Sequence, residues 1–318
     1  MQELRYNSYS AYFKNKYGSR LQKLSVDAGF SCPNRDSGDR TKGGCTFCNN
    51  QAFNPSYCSP SKSIIQQLDE GIEFHEHRYR NASKYLAYFQ PYSNTFAPLE
   101  KLKQLYDEAL SHPKVTGLII GTRPDCVDER KLDYIATLAK ERFVAVEYGI
   151  ESCYDKTLAA IRRGHNFDTT RHSIQLTAER GIHCGAHLVL GLPGETREMM
   201  LDEAAIINSL PVNSLKLHQL QIIKGTAMAD GTAEAGTAFA LDEYISLVCD
   251  FVERLRPDIM MERFAGEVPP RFQAFPERSW RRPDGRLIRN EEIPVLVNKE
   301  LIRRGTRQGD FKQNQNNL

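Results

Sequence analysis

From about residue 21 the chain alternates short runs of apolar, β-branched and aromatic residues with longer stretches in which apolar positions recur at helical spacing. The short runs begin at Leu21, Lys84, Val115, Phe143, Ile182 and Ser214, and include 85–89 (YLAYF), 115–120 (VTGLII) and 143–146 (FVAV). Period and composition predict strands there. Between them lie helix-length segments with polar starts: Ser61 ahead of Ile64 and Ile65, Asp128 ahead of Leu132, and Glu195 with Thr196 ahead of Met199 and Met200. Six βα units in succession imply a parallel sheet with right-handed crossovers. The expected fold is therefore α/β, a partial (β/α)6 TIM-like barrel rather than a full eight, with its active site at the C-terminal ends of the strands. This reading divides the chain into a short N-terminal arm (1–19), a core (20–230), a C-terminal extension beside the substrate site (231–305) and a disordered tail (306–318).

Composition narrows the class without naming it. A chain of 318 residues with 40% hydrophobic and 26% charged residues has globular composition, and a formal net charge of +2 neither demands nor excludes nucleic acid. The first residues form no apolar segment of the secretory type, and apolar stretches such as 188–193 are far too short to span a bilayer. A cytoplasmic protein that does not engage a membrane is the expectation. Eight cysteines without a secretion signal point to a reducing compartment, where clustered thiols mean metal or redox chemistry more often than disulfides.

The cysteines that cluster are Cys32, Cys45 and Cys48. Three thiolates are one short of a closed metal site, which leaves a coordination position for substrate or cofactor. Gly43 and Gly44 let the backbone fold tightly enough to bring the distant thiol alongside the Cys45/Cys48 pair. The spacing reads as a [4Fe–4S] site with one iron free. A structural zinc site, completed by Cys58 or a histidine, is the competing reading.

Several motifs follow in order: 32–36 (CPNRD), 43–48 (GGCTFC), 88–90 (YFQ) with Asn94 and Thr95, 121–125 (GTRPD), 147–152 (EYGIES), 163–165 (RGH) and 187–196 (HLVLGLPGET). As an ordered set they resemble the radical S-adenosylmethionine (SAM) superfamily, within it the YhcC/YtqA-like group related to the Elp3, MiaB and coproporphyrinogen-dehydrogenase branches. The pattern most often seen in that superfamily has three residues between the first two cysteines, and this chain has twelve, as the YhcC-like subgroup does. The resemblance implies a [4Fe–4S] cluster on the three cysteines and SAM as second cofactor, cleaved reductively to a 5′-deoxyadenosyl radical that abstracts hydrogen from substrate. It also implies a low-potential electron donor of the flavodoxin or ferredoxin type. The leading substrate class is a nucleobase or nucleoside, free or in tRNA.

Carried over by position, the resemblance places Gln90, Ser93, Asn94 and Thr95 by the methionine amino group, with Pro91, Tyr92 and Ser93 where many relatives have a glycine-rich turn. Glu151 and Arg163 match positions that touch ribose and carboxylate. His187 stands where relatives often have Asp, and the turn at Gly191 would let adenine approach the backbone. Cys126, at the end of the third strand, could line the substrate cavity as a radical or covalent partner, or be an ordinary buried thiol. Cys58, Cys153, Cys184 and Cys249 lack ligand spacing, which argues against an auxiliary cluster.

Two outlying features bear on partners. Aromatics spaced about three apart along 6–13 predict a helical stripe that packs on the barrel or, alternatively, stacks on bases. Between 278 and 289, five arginines face one aspartate and surround Trp280, a pattern that suits either phosphate binding or a solvated face. The non-enzymatic alternative is a zinc-stabilised nucleic-acid-binding adaptor; a simple iron–sulfur electron carrier would leave Glu151 and Arg163 without a role.

Overall fold

In the computed structural model, residues 3–19, 21–36, 43–76, 84–275 and 279–311 are described. The runs predicted as strands form β1 (Leu21–Val26), β2 (Lys84–Phe89), β3 (Val115–Thr122), β4 (Phe143–Glu151), β5 (His183–Leu190) and β6 (Ser214–Gln219). A seventh, β7 (Met260–Arg263), completes one sheet in sequential order. Each strand pairs in parallel with the next. The helices are α1 (Tyr9–Tyr17) ahead of the sheet, α2 (Pro33–Asp36) and α3 (Ile64–Glu76) after β1, α4 (Leu99–Ser111) after β2 and α5 (Glu129–Ala139) after β3. Then come α6 (Asp155–Ala160) and α7 (Phe167–Glu179) after β4, α8 (Arg197–Asn208) after β5, α9 (Leu241–Arg254) after β6, and α10 (Ile293–Arg304).

Parallel strands are covered on both faces, which is why their sequences read as near-continuous apolar runs. Outward-facing Leu24, Phe89, Leu118, Ile120, Val146 and Leu217 join residues such as Leu68, Leu102, Ile135 and Val248 of the helices in the main core. The inner face carries a smaller cluster of Leu86, Tyr88, Ile119 and Ala145. The arm closes the floor beneath it: Tyr9 and Phe13 pack with Met260, and Phe13 meets Phe143 edge-on at 4.8 Å. The aromatic stripe is thus used for packing, while Tyr12 stays exposed.

Two predicted helix starts are side-chain caps: Asp128 accepts from the Lys131 amide at 2.9 Å, and Thr196 from that of Met199 at 3.3 Å. The start predicted at Ser61 is shifted, because Ser63 accepts from the Gln66 amide at 3.0 Å.

Two expectations are corrected. The stretch read as an extension contributes α9 and β7 to the half-barrel itself, and β7 is only 4 residues long, too short for its alternation to stand out. Residues 306–311, read as tail, are folded in: Gln308 is buried, donating to the carbonyls of Arg256 and Ile259 at 2.9 and 2.8 Å. The rest of that tail, 312–318, lies outside the described residues. No described helix is long and apolar enough to cross a membrane.

Candidate active site

The C-terminal ends of the strands open onto a cavity of about 240 Å³ that contains all three clustered cysteines in its wall. Cys32 immediately precedes α2, and the chain returns through Gly44, whose φ of +88° suits glycine, to Cys45 and Cys48. The Cys48 amide donates to the Cys45 carbonyl at 3.0 Å, closing a turn between the two thiols. Nitrogen donors surround the sulfurs: Arg163 and Asn34 lie 3.6 and 3.5 Å from Cys45 Sγ, Arg123 lies 3.7 Å from Cys32 Sγ, and Asn50 lies 3.5 Å from Cys48 Sγ. Arg35 donates to the Cys48 carbonyl at 2.8 Å. Burial, and then Cys45, push the Cys48 thiol up to about 11 despite Arg35, so metal binding there must displace a proton.

Among the described residues no three His, Cys, Asp or Glu side chains converge closely enough to hold a single metal ion. Cys58 is turned away, its thiol donating to the Ser25 carbonyl at 3.0 Å. A polynuclear cluster, whose ligands stand farther apart than those of one tetrahedral ion, fits three thiols ringed by cationic and amide donors. Nothing among the described residues supports the zinc alternative.

Glu151 and Arg163 meet in the same wall, their charged atoms 3.3 Å apart. The β4/β5 register shifts between Gly149 and Glu151, and Glu151 has a φ of +69°, a conformation that turns its carboxylate inward. Arg163 also donates to the Gly149 carbonyl at 2.5 Å, while its buried Nε has no partner among the described residues. Burial disfavours the charged guanidinium, but Glu151 and then the Cys45 sulfur outweigh it and keep the cation charged. Beneath this turn Ser152 donates to Glu195 at 2.5 Å and the Cys153 amide to Glu203 at 2.8 Å.

Gln90, Ser93 and His187 also line the cavity. Ser93 is buried beside the Cys126 thiol, and Gln90 accepts from Ser25 at 2.9 Å. Four predicted residues do not reach the cavity wall. Asn94 is fully buried and its amide nitrogen donates to the carbonyls of Phe89, Pro91 and Gly121, while Thr95 bonds Thr122 at 2.6 Å, so both pin the loop from behind. Gly191, at φ +91°, instead leaves room for the extension: a Cβ there would lie 2.7 Å from Phe239 and from the Thr237 carbonyl. Cys126 is buried with its thiol near Asp125, pushed up to about 12 by burial and then by that carboxylate.

Sequence reasoning missed the charged floor. Lys23 and Lys216 both reach Glu147, at 2.9 and 2.5 Å, and both pair with Glu262. Lys216 also donates to Tyr88 at 3.2 Å, and His187 Nε2 donates to Glu147 at 3.1 Å. Burial raises the Glu147 carboxyl, but Lys216, Lys23 and His187 together hold it well below the usual range. A lone Lys or Glu inside an apolar strand run was the available signal. Three arginines of the arginine-rich stretch are paired with carboxylates: Arg282 with Glu292, Arg286 with Asp284 at 2.7 Å, and Arg289 with Glu267 at 3.0 Å. Arg278 lies outside the described residues.

The site is thus a parallel half-barrel that presents three thiols at its strand ends with an ion pair beside them. The chain belongs to the radical SAM superfamily, whose profile matches residues 37–205, followed by a match to the radical SAM C-terminal domain over 212–290. It is 33% identical over 312 residues to YtqA of Bacillus subtilis, covering 98% of this chain and 94% of that protein. It is 36% identical over 265 residues to YhcC of Escherichia coli K12, covering 82% and 84%. Among solved structures, the archaeal Methanocaldococcus infernus Elp3 superposes with a TM-score of 0.66 at 18% identity, over 91% of this chain and 64% of that one, a likeness of fold. Enzymes of this superfamily use a [4Fe–4S] cluster and SAM and require a reductant and a substrate.

Proposed function

We propose that Cys32, Cys45 and Cys48 ligate the [4Fe–4S] cluster and that Gln90, Ser93, Glu151 and Arg163 hold SAM against it. Bound and reduced, these cofactors supply a 5′-deoxyadenosyl radical that abstracts hydrogen from the substrate, here a nucleobase or nucleoside, free or in tRNA. The observation that carries this reading is that the three thiols and the Glu151–Arg163 pair share one cavity wall.

Each residue then has a task set by its chemistry. Arg163 spans the thiol end and Glu151, so its fork can neutralise a ligand carboxylate while its charge offsets that of the thiolates. Glu151 accepts from hydroxyl donors, and the buried Ser93 hydroxyl adds a polar group to the same cavity. Arg123 and Asn34 stabilise negative charge on sulfur. A low-potential flavodoxin or ferredoxin delivers the electron.

The test is anaerobic. Protein reconstituted with iron and sulfide is given dithionite and SAM, and 5′-deoxyadenosine is sought by mass spectrometry, with and without nucleosides and tRNA. Formation of 5′-deoxyadenosine, increased by a nucleoside or by tRNA, is expected. Zinc in place of iron, or a reducible cluster with no product under any condition, would overturn the reading.

A further inference from the structure

The basic side chains of the cavity wall are Arg35, Arg123, Arg163, Lys216 and Arg263. Four of them are committed. Arg35 donates to the Cys48 carbonyl, Arg123 forks onto Asp125 at 2.8 and 2.7 Å, Arg163 serves Glu151 and Gly149, and Lys216 is held by Glu147 and Glu262. The side chain of Arg263, the last residue of β7, makes no hydrogen bond or ion pair with any described residue, although it lines the cavity and is exposed. On the floor below, two lysines face two glutamates and their charges cancel. Among the described residues, Arg263 is therefore the basic side chain at this end without a counter-charge.

Its neighbours are built for a ligand rather than for a counter-ion. His218 follows Lys216 by two on the same face of β6, and burial first, then the charge of Arg263, hold its imidazole well below the usual histidine range, hence neutral. A Cβ at Gly266 would stand 2.9 Å from His218 Nδ1 and 3.9 Å from Gln221 Oε1, so bare backbone leaves both polar groups clear beside the cavity. Neither side chain is hydrogen bonded to a described residue. A guanidinium with a free fork, flanked by a neutral imidazole and an amide, matches the oxygens of an anion bearing further polar groups.

We propose that Arg263, His218 and Gln221 anchor an anionic group of the substrate, a carboxylate or a phosphate, in the cavity that the thiols also line. This inference rests on the functional reading above for what else the cavity holds. Arg263 is a specificity-determining residue, and the substrate lies between it and the cofactor end.

The experiment titrates cluster-loaded protein, saturated with SAM, with inorganic phosphate and separately with acetate at constant ionic strength, by calorimetry. Wild type is expected to bind one probe at a single saturable site, and Arg263→Gln to weaken it at least tenfold, with Arg263→Lys between the two. Arg171→Gln, on the outer surface of α7, controls for loss of charge alone. Preference for phosphate assigns a phosphorylated substrate, and preference for acetate a carboxylated one. Saturation by neither probe, or equal binding by wild type and Arg263→Gln, would overturn the anchor. SAM affinity of the same wild-type sample is measured first. Failure there counts against the cofactor reading, while the Arg263→Gln comparison decides the anchor in either case.

Discussion

His187 of β5 donates its Nε2 hydrogen to Glu147 Oε2 of β4, 3.1 Å away, while Lys216 of β6 grips the same oxygen at 2.5 Å. Three adjacent strands thus tie one carboxylate, and the histidine acts as a polar strut of the barrel floor. Burial and the Lys216 charge lower its pKa, so it remains a neutral donor.

Breaking that tie is costly because it strands buried ammonium groups. Glu147→Gln is expected to destabilise the fold by about 3–5 kcal/mol, read as a lower urea midpoint. The sign of the pH effect follows from the depressed carboxyl. Glu147 contributes stability above the unfolded value of about 4.3 and loses it as pH falls through the folded value. Acid unfolding of Glu147→Gln should accordingly be less steep than that of wild type; equal midpoints and equal acid profiles would show that the ring of charges carries no stability.

Glu203 supplies the opposite case. It is fully buried beneath the Glu151 turn with Oε2 unpartnered among the described residues, and burial followed by Glu195 raises its carboxyl well above the usual range. A raised carboxyl contributes stability below about pH 4.3, and that stability is lost as pH rises toward the folded value. Glu203→Gln should raise the melting temperature at pH 8 and flatten its dependence on pH. A lower melting temperature at pH 8 would mean the carboxylate is paired there.

Glu151→Gln keeps the shape of the side chain and removes its charge. It should weaken SAM binding by about 1.5–3 kcal/mol, the scale of a hydrogen bond to a charged group, and leave the iron content unchanged. Calorimetry on reconstituted protein measures the first and metal analysis the second; unaltered affinity would remove Glu151 from the SAM site.

Cys45→Ala and Cys126→Ala form a matched pair of buried thiol deletions. The first should abolish iron and sulfide uptake while circular dichroism reports an intact barrel. The second should retain the full cluster and the wild-type rate of 5′-deoxyadenosine formation, since Cys126 lies outside the cavity wall. Loss of product in Cys126→Ala with the cluster intact would restore it as a chemical participant.

The alternation of apolar runs carried the sheet, because buried parallel strands leave that imprint directly. The thiols and the Glu151–Arg163 pair were legible from ordered motifs. Lys23, Glu147 and Lys216 were not, since one charge inside an apolar run gives no hint of which face it takes until the sheet curls and sets three strands around a common axis. Gly191 shows a related limit: a glycine permits close approach without saying by what, and in this fold Phe239 approaches it. The arginines of 278–289 looked unopposed because Glu267 and Glu292 lie outside that window.

The sheet never closes, and its first and last strands face each other without a shared ladder. What spans the gap is the Lys23–Glu262 contact and the arm, whose Asn7 carbonyl accepts from the Met261 amide at 2.7 Å. The far end of the chain fastens that arm, Gln308 bonding both Arg5 and Asn7. The barrel is in effect a split ring with a two-ended latch. The join between β1 and β7 therefore rests on one ion pair and on the two ends of the chain rather than on a strand ladder, so a change at either end of the chain bears on the barrel floor.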